Sequence, residues 1–415
     1  MSRLRIGTLS MRQPVTNGDT HNGTGAAPIL FVRRQYSPFG GGEIMLDTIA
    51  KEFRARDMAV AIMSGDWPAS EGIEFIRCSG RRFPRAWRAR SFATAACRKI
   101  SELDPAPVLV QSNDRLPCCD IFRAGEGVHA AYLAERRRLS KFDGVGLSLS
   151  LFHKEMLRLE RLTFRSAGLR AVIAISKMVA DDIRRHYDFP GDRIHHIPNG
   201  ISLATYNAEL REQHRARIRA QLNVPLDKPV ILFVGSGFTR KGLAPLIEAT
   251  TDLESLPELW VVGHDTRMET FKRLAQKRGL GNRVKFIGPQ KDVRPWYGAA
   301  DIAAIPSVYE PFGTVVLEAM ACGLPTVVST MCGGRELVER FDPALVCNIA
   351  ERGELSASLS RALRHSRSPE SAPLVRRAAA LYDLDTMIDR TLAVYESVLA
   401  EKRRDPTAAT PRIQV

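Results

Sequence analysis

The sequence lacks any apolar run near the roughly 18 residues that a membrane-spanning helix needs. Its first residues have no apolar segment followed by a small-residue cleavage site, so we expect no secretory signal. The seven cysteines include no Cys-x-x-Cys pair, and we expect buried, reduced thiols rather than a disulfide framework. Together these absences predict a cytoplasmic protein.

The composition predicts a soluble globular protein with an anionic partner. A chain of 415 residues can form two domains with separate cores, and 44% hydrophobic with 26% charged residues is typical of soluble proteins. The formal net charge of +14 indicates an anionic partner. Nucleic acid, an anionic membrane surface and a phosphorylated substrate all fit this charge. A scattered surplus of arginine that only keeps the protein soluble fits it equally well.

Strand and helix patterns alternate along most of the chain, which predicts an α/β fold with two doubly wound parallel sheets facing a central cleft. The apolar strand runs are residues 29–32, 58–63, 108–111, 171–176, 194–197, 230–234, 259–262, 284–287, 302–305, 326–329 and 345–347. The predicted organisation is a disordered leader (1–27), an N-terminal Rossmann-like domain (28–200), a linker (201–228), a C-terminal Rossmann-like domain (229–380), a C-terminal helix (381–400) and a disordered tail (401–415).

Residues 305–330, IPSVYEPFGTVVLEAMACGLPTVVST, read as a strand, a loop, a helix and a second strand. Such units bind ligands where loops leave the carboxyl ends of parallel strands. Glu310 lies on the loop and Glu318 about one turn into the helix. Free N–H groups of Phe312, Gly313 and Thr314 at the helix start would suit a phosphate between two hydroxyl-binding acids.

Two further loops end strands at the same predicted edge. The run SPFGGGE contains Gly41 and Gly42, which would allow backbone N–H groups to approach a phosphate, although a glycine run is often only a turn. The segment GSGFTRKGL places Arg240 and Lys241 where they could hold a diphosphate. The alternative for this pair is two solvated surface charges.

His129, in RAGEGVHAAYL, follows an apolar strand and begins a helical run. A lone histidine serves structure as readily as catalysis, and its place at the functional edge leaves both interpretations open. Two basic regions, residues 81–90 and 136–152, interleave arginines with aromatic and aliphatic residues. Such a region suits an anionic membrane or nucleic acid, and a solvated helix face is the alternative.

In combination, these motifs resemble the retaining glycosyltransferases of family 4, which have the GT-B fold with two Rossmann-like domains. The resemblance rests on EPFGTVVLEAMACGLPTVVS with Glu310 and Glu318, on RKG at 240–242, on PNGI at 198–201 and on PFGGGE, and it covers residues 28 to 400. SPFGGGE and VGSGFTRKG are most similar to the lipopolysaccharide-core glucosyltransferases that add glucose to heptose.

The resemblance implies that the domain of residues 28–200 binds the acceptor and that the domain of residues 229–380 binds the nucleotide sugar. It also implies a role for each candidate residue. Glu310 would bind hydroxyls of the donor sugar, and Glu318 would bind the ribose. Arg240 and Lys241 would hold the diphosphate and stabilise the leaving group, while His129 would lie beside the donor sugar at the reacting centre. The backbone groups expected to line the donor are those of Gly41, Gly42, Gly288, Phe312, Gly313 and Thr314. Many members carry an additional arginine where this chain has Gly235-Ser236-Gly237.

The activity that the resemblance implies is the metal-independent, retaining transfer of a hexose without a cofactor. The expected donor is UDP-glucose, and the expected acceptor is an anionic glycan or lipid-linked glycan such as the lipopolysaccharide inner core. We expect peripheral association with the inner face of the cytoplasmic membrane and no nucleic-acid partner. A catalytically silent sugar-nucleotide-binding protein and a nucleotide-sugar epimerase of the same fold are the alternatives.

Overall fold

The structure is a computed structural model that describes residues 27–38, 40–81, 84–139 and 150–404. Most of the predicted leader, residues 405–415 of the predicted tail, and residues 82, 83 and 140–149 of the two basic regions lie outside these described ranges.

Seven parallel strands form the first sheet, in the order β3-β2-β1-β4-β5-β6-β7. They are β1 (Ile29–Val32), β2 (Val60–Ser64), β3 (Ile73–Arg77), β4 (Leu109–Ser112), β5 (Ile121–Arg123), β6 (Ala171–Ala174) and β7 (Ile194–His196). Strand β3 was not predicted, because an edge strand that alternates apolar and charged residues (IEFIR) lacks the continuous apolar run of its buried neighbours.

Helices connect the strands of this sheet. They are α1 (Gly41–Arg54), α2 (Arg88–Ser101), α3 (His129–Leu139), α4 (Leu151–Phe164) and α5 (Lys177–His186). A short 3₁₀ turn, Arg85–Trp87, leads into α2. The predicted glycine loop is shorter than expected, because α1 already begins at Gly41. Glu43 lies in the first turn of α1, where a carboxylate is favourable, and its ion pair with Arg33 anchors that turn to the end of β1.

Six parallel strands form the second sheet, in the order β10-β9-β8-β11-β12-β13. They are β8 (Val230–Val234), β9 (Glu258–Val262), β10 (Val284–Gly288), β11 (Ile302–Ile305), β12 (Thr326–Ser329) and β13 (Val346–Cys347). The helices of this half are α6 (Glu209–Gln221), α7 (Leu243–Thr250), α8 (Met268–Lys277), α9 (Arg294–Ala299), α10 (Thr314–Ala321), α11 (Arg335–Phe341), α12 (Arg352–His365), α13 (Ser371–Ala379) and α14 (Leu384–Arg404). The two parallel sheets confirm the predicted α/β architecture.

The segment 201–228, predicted as a linker, contains helix α6. Leu210 and Ile218 are buried, and Arg219 donates from Nη2 to Asp301 at 2.6 Å. Arg215 pairs with the same carboxylate at 2.8 Å. The charge-rich sequence therefore folds against the second sheet, because Arg215 and Arg219 both pair with the carboxylate of Asp301 there. The domain boundaries themselves remain a prediction.

The C-terminal helix returns to the first sheet. Met387 and Tyr395 are buried in one core with Phe31 and Phe53, and the rings of Phe53 and Tyr395 meet edge to face at 5.5 Å between centroids. The helix continues to Arg404, so residues 401–404 of the predicted tail are helical. No helix among the described residues is long and apolar enough to cross a membrane.

The expectation that all the cysteines are reduced thiols is wrong for two of them. Cys97 on α2 and Cys118 between β4 and β5 form a disulfide, because the packing of α2 beside this loop brings their Cα atoms to 5.7 Å, a usual separation for a disulfide. The other five cysteines are buried free thiols.

Candidate active site

Glu310 lies on the loop that leaves the carboxyl end of β11. Its backbone is held by the neighbouring loop after β12, since Glu310 N–H donates to Met331 O at 2.9 Å and Gly333 N–H donates to Glu310 O at 2.8 Å. The residue is only 8% exposed. Hydrogen bonds on both sides therefore fix a buried carboxylate at the sheet edge that faces the first domain.

Arg240 and Lys241 converge on this carboxylate from the loop after β8. Lys241 Nζ lies 2.6 Å and Arg240 Nη1 3.1 Å from Oε2 of Glu310. Val308 N–H donates to Arg240 O at 2.8 Å, which ties the two loops together. Burial alone would raise the pKa of Glu310, but the two cations outweigh it and hold the pKa at about 2. The acid is therefore ionised at neutral pH.

Two glycines allow this close approach. Gly242 has φ +76°, and a Cβ there would lie 1.8 Å from Pro306 O. Gly235 has φ +143°, and a Cβ there would lie 3.0 Å from Cε of Lys241. Gly235 belongs to the segment Gly235-Ser236-Gly237, where the resemblance leads us to expect an arginine, and it leaves room for the stem of Lys241. In this chain, Arg240 and Lys241 supply the positive charge at this place.

Helix α10 directs its N-terminus toward the same edge. The backbone N–H groups of Phe312, Gly313 and Thr314 donate to no acceptor among the described residues. Gly313 caps the helix in the left-handed conformation, with φ +79°. Unpaired N–H groups at a helix start provide an anion site, and the ion pair of Lys241 with Glu310 borders it.

Glu318 lies in α10, about one turn after the helix begins. Its Oε2 accepts the hydroxyl of Tyr297 at 2.7 Å. Burial raises the pKa of Glu318, in contrast to that of Glu310. The two acids therefore differ in their hydrogen-bond partners, since Arg240 and Lys241 pair with Glu310 whereas the hydroxyl of Tyr297 bonds Glu318.

The remaining predicted donor-binding glycines lie apart from this cluster. Gly288 ends β10 with φ +82°, and its carbonyl accepts the N–H of Gly263 at 3.0 Å. A Cβ at Gly288 would meet no atom within 4 Å, so the space beside it is open. Gly41 and Gly42 are exposed in the first turn of α1, at the opposing edge of the first sheet.

His129 begins α3 at the edge of the first sheet. Its Nε2 lies 3.0 Å from Nδ1 of His153, so one proton is shared between the two rings. Burial and then the charge of Arg115 lower the pKa of His129 to about 4. The imidazole is therefore neutral at physiological pH, and it can accept or donate one hydrogen bond without carrying charge.

A network of charged side chains around His129, most of them buried, was missed by the sequence analysis. Glu160, with a fully buried side chain, accepts from the N–H of His129 at 2.8 Å and from Nε of Arg115 at 2.9 Å. Arg33 bonds Glu43 at 2.7 Å and Glu126 at 2.8 Å. The side chain of Glu126 is 44% exposed, and its partial burial would raise its pKa, but Arg33 and Arg115 hold that pKa at about 2. Of the residues in this network, Glu43 belongs to the motif SPFGGGE and Glu126 to the motif RAGEGVHAAYL, while Arg33, Arg115 and Glu160 belong to no motif identified from the sequence.

The edge of the first sheet that carries His129 is in direct contact with the edge of the second sheet that carries Glu310. Tyr309, which precedes Glu310, accepts the N–H of Val128, which precedes His129, at 3.0 Å. The structure thus brings the loops of Glu310, Arg240, Lys241 and His129 to one interface between the domains.

Two cavities open at the interface between the domains, with volumes of about 280 and 240 Å³. Both are lined by Lys177, Glu336 and Arg340, and none of the predicted site residues lines either one. Among the described residues, no group of three or more His, Cys, Asp or Glu side chains is arranged to hold a metal ion.

Comparison with known proteins agrees with the fold. The chain matches the sequence models of two domain families, Glycosyltransferase Family 4 over residues 39–205 and Glycosyl transferases group 1 over residues 214–378. A solved structure of WaaG, a glycosyltransferase involved in lipopolysaccharide biosynthesis, superposes on 88% of this chain and 98% of its own, with a TM-score of 0.74 and 25% identity.

The chain belongs to the GT-B glycosyltransferases.

Relatives of this glycosyltransferase differ in their substrates. The lipopolysaccharide glucosyltransferase WaaG of Escherichia coli is 27% identical over 74% of this chain and 81% of its own length. A D-inositol 3-phosphate glycosyltransferase of Xylanimonas cellulosilytica is 34% identical over 50% of this chain and 55% of its own length. Anabaena HepE, solved with UDP-glucose, shares the fold with a TM-score of 0.68 and 20% identity, over 90% of this chain and all of its own.

Proposed function

We propose that this glycosyltransferase is a retaining hexosyltransferase that moves glucose from UDP-glucose to a glycan or lipid-linked acceptor such as the lipopolysaccharide inner core. The observation that carries the proposal is the cluster at the edge of the second sheet. A buried, ionised Glu310 is paired with Arg240 and Lys241 there, beside the unpaired N–H groups at the start of α10.

Each part of this cluster fits one part of a sugar nucleotide. A carboxylate ionised at neutral pH accepts hydrogen bonds from sugar hydroxyls, which is the role proposed for Glu310. Arg240 and Lys241 balance the charge of a departing diphosphate, as do the N–H groups of α10. Glu318 accepts from the ribose hydroxyls, and the backbone around Gly288 receives the base.

The proposed reaction keeps the anomeric configuration of the donor. The acceptor hydroxyl attacks from the face that the diphosphate leaves, through an oxocarbenium-like state, and a phosphate oxygen takes its proton. Neutral His129 stands beside the sugar and donates or accepts one hydrogen bond. The cations and the helix N-terminus neutralise the leaving group, so the proposed chemistry requires no metal ion.

Similarity to WaaG supports glucose as the sugar and a lipopolysaccharide core as the acceptor, since the alignment extends over 81% of that enzyme. The shared fold of HepE, solved with UDP-glucose, is compatible with UDP-glucose as the donor. The inositol-phosphate relative aligns over only 55% of its length, and it supports a phosphorylated acceptor as the second candidate.

We further propose that the first domain docks on an anionic membrane surface. Trp87, Leu151 and Phe152 are 49%, 62% and 39% exposed, on the turn before α2 and the start of α4, which pack against each other. Arginines of α2 and α3 flank them. Exposed apolar side chains beside basic ones are what binding at the surface of an anionic bilayer requires.

The proposal is tested by incubating the purified protein with UDP-glucose and a heptose-terminated core oligosaccharide. We expect a glucosylated product by mass spectrometry. Binding of UDP-glucose without transfer to any glycan would favour the catalytically silent alternative. Conversion of UDP-glucose into an isomeric UDP-sugar without an acceptor would favour the epimerase alternative.

A further inference from the structure

Tyr309 connects the two domains through its hydroxyl. The side chain belongs to the loop of Glu310 and is only 2% exposed. The hydroxyl oxygen accepts the backbone N–H of Val128 at 3.0 Å, and its proton goes to Oδ2 of Asp182 at 3.0 Å. Both partners belong to the first domain. A hydroxyl of the second domain therefore accepts one hydrogen bond from the first domain and donates another to it.

The first domain is shaped to receive this tyrosine. Gly127 has φ +68°, and a Cβ there would lie 2.7 Å from the hydroxyl oxygen of Tyr309 and 2.9 Å from Cγ of Pro311. Asp182 is 2% exposed, and its other oxygen pairs with Arg185 at 3.2 Å. Any larger residue at position 127 would push the loops apart, because its Cβ would meet the ring.

Two further hydrogen bonds extend this contact along the same loop. The hydroxyl of Ser176 donates to Pro311 O at 2.6 Å, and the side-chain amide of Asn199 donates to the hydroxyl of Thr314 at 3.1 Å. Three segments of the first domain thus form hydrogen bonds with residues 309–314. Among these hydrogen bonds, the one between Tyr309 and Val128 joins the residue that precedes Glu310 to the residue that precedes His129.

We propose that Tyr309 is a positioning residue for glycosyl transfer, because its hydroxyl fixes the segment that carries His129 against the loop that carries Glu310. The inference rests on the proposed function. Tyr309 itself touches neither donor nor acceptor. Its effect is geometric, since a displacement of about 1 Å between groups that hold reactants can lower turnover by about 100-fold.

A tyrosine is required for chemical reasons. Phenylalanine at position 309 would keep the ring and its packing. It would remove the hydroxyl that accepts a hydrogen bond from the N–H of Val128 and donates one to Asp182. The buried N–H of Val128 and one oxygen of Asp182 would then lose their partners. The segment before His129 would be free to shift, while Glu310 and its cations would keep all their own contacts.

The test compares Tyr309→Phe with Tyr395→Phe. Tyr395 is a matched control because its buried hydroxyl also bonds a side chain, Oε1 of Gln111, but on the far face of the first sheet. We expect Tyr309→Phe to lower kcat at least about tenfold and to leave the dissociation constant of UDP-glucose within about twofold of the native value. Tyr395→Phe should leave both values within about twofold.

Amide hydrogen exchange supplies a readout that needs neither donor nor turnover. The N–H of Val128 should exchange faster in Tyr309→Phe than in the native protein, and at the native rate in Tyr395→Phe. Asp182→Asn, which keeps an acceptor for the tyrosine, should retain kcat within about threefold, whereas Asp182→Ala should resemble Tyr309→Phe.

The outcomes separate this inference from the proposed function. Native transfer activity with an unchanged kcat in Tyr309→Phe would overturn the positioning role alone, and so would an unchanged exchange rate at Val128. Equal losses of kcat in Tyr309→Phe and Tyr395→Phe would also overturn it, because a general loss of stability would then explain both. Absence of transfer by the native protein would contradict the proposed function itself.

Discussion

Lys241 and Glu310 form an ion pair of 2.6 Å between two different strand-end loops, and the side chains are only 10% and 11% exposed. One residue follows β8 and the other follows β11, which are neighbours in the second sheet. A buried pair of this kind persists because each charge would be costly without the other. It also places a cation beside the unpaired N–H groups of α10, where we propose that a diphosphate is held.

Removal of this cation should damage catalysis more than folding. We expect Lys241→Ala to lower kcat by about 100-fold or more, because charge that develops on the leaving diphosphate would lose a fixed positive partner. Lys272→Ala is the matched control, since Lys272 pairs with Glu269 on the surface of α8. Steady-state kinetics with UDP-glucose checks the prediction. Native turnover in Lys241→Ala would remove this residue from the site.

Loss of the charge on Glu160 should destabilise the first domain. The carboxylate is buried and accepts from Arg115, from the N–H of His129 and from the hydroxyl of Tyr187. We expect Glu160→Gln to lower the free energy of unfolding by about 3 kcal/mol, because it leaves a buried arginine with one acid fewer. Glu339→Gln, at a half-exposed surface pair, should change it by less than about 0.5 kcal/mol. Denaturation in urea measures both, and equal effects would contradict the role of burial.

The protonation of His129 gives a prediction with a definite sign. Its pKa in the folded protein is about 4, below the reference value of 6.5, so folding favours the neutral ring. As pH falls from about 6.5 toward 4, the unfolded chain takes up a proton that the folded protein excludes. The contribution of His129 to stability is therefore complete above pH 6.5 and declines below it. An NMR titration of the ring should show its midpoint near pH 4, and a midpoint near 6.5 would refute the burial argument.

Membrane association should depend on the exposed apolar side chains before α2 and at the start of α4. We expect Trp87→Ser combined with Phe152→Ser to reduce binding to vesicles of anionic lipid at least about tenfold, since each large side chain contributes about 1.5 kcal/mol or more when buried. Leu374→Ser, at a residue 53% exposed on α13, is the control. Vesicle sedimentation measures the binding. Equal retention of both variants on the vesicles would contradict the assignment of this surface.

Much of the second domain was predictable from sequence, because parallel strands bring their carboxyl ends to one edge. That rule placed Glu310 near Arg240 and Lys241 from their positions after two strands. It could not show that the cations would contact the acid directly. This contact depends on the φ angle of Gly242 and on the space left at Gly235, which are properties of the folded backbone.

The unpredicted features join elements that are distant in sequence. Glu160 lies 31 residues after His129, within a helix whose own pattern indicates only an amphipathic surface. The segment of helix α6 was predicted to be a linker because its many arginines are typical of a solvated segment. The sequence does not show that Asp301 pairs with them in the folded protein. The disulfide joins cysteines that have no motif spacing. In each case the partner is supplied by tertiary packing, which local sequence patterns do not encode.

The stereochemistry of the product tests the central claim most directly. UDP-glucose, in which the glucose is α-linked, should be incubated with the protein and a heptose-terminated acceptor, and the new glycosidic bond should be assigned by the NMR coupling at its anomeric proton. Retaining transfer predicts an α-linked product. A β-linked product would contradict the same-face mechanism proposed for the cluster of Glu310, Arg240 and Lys241.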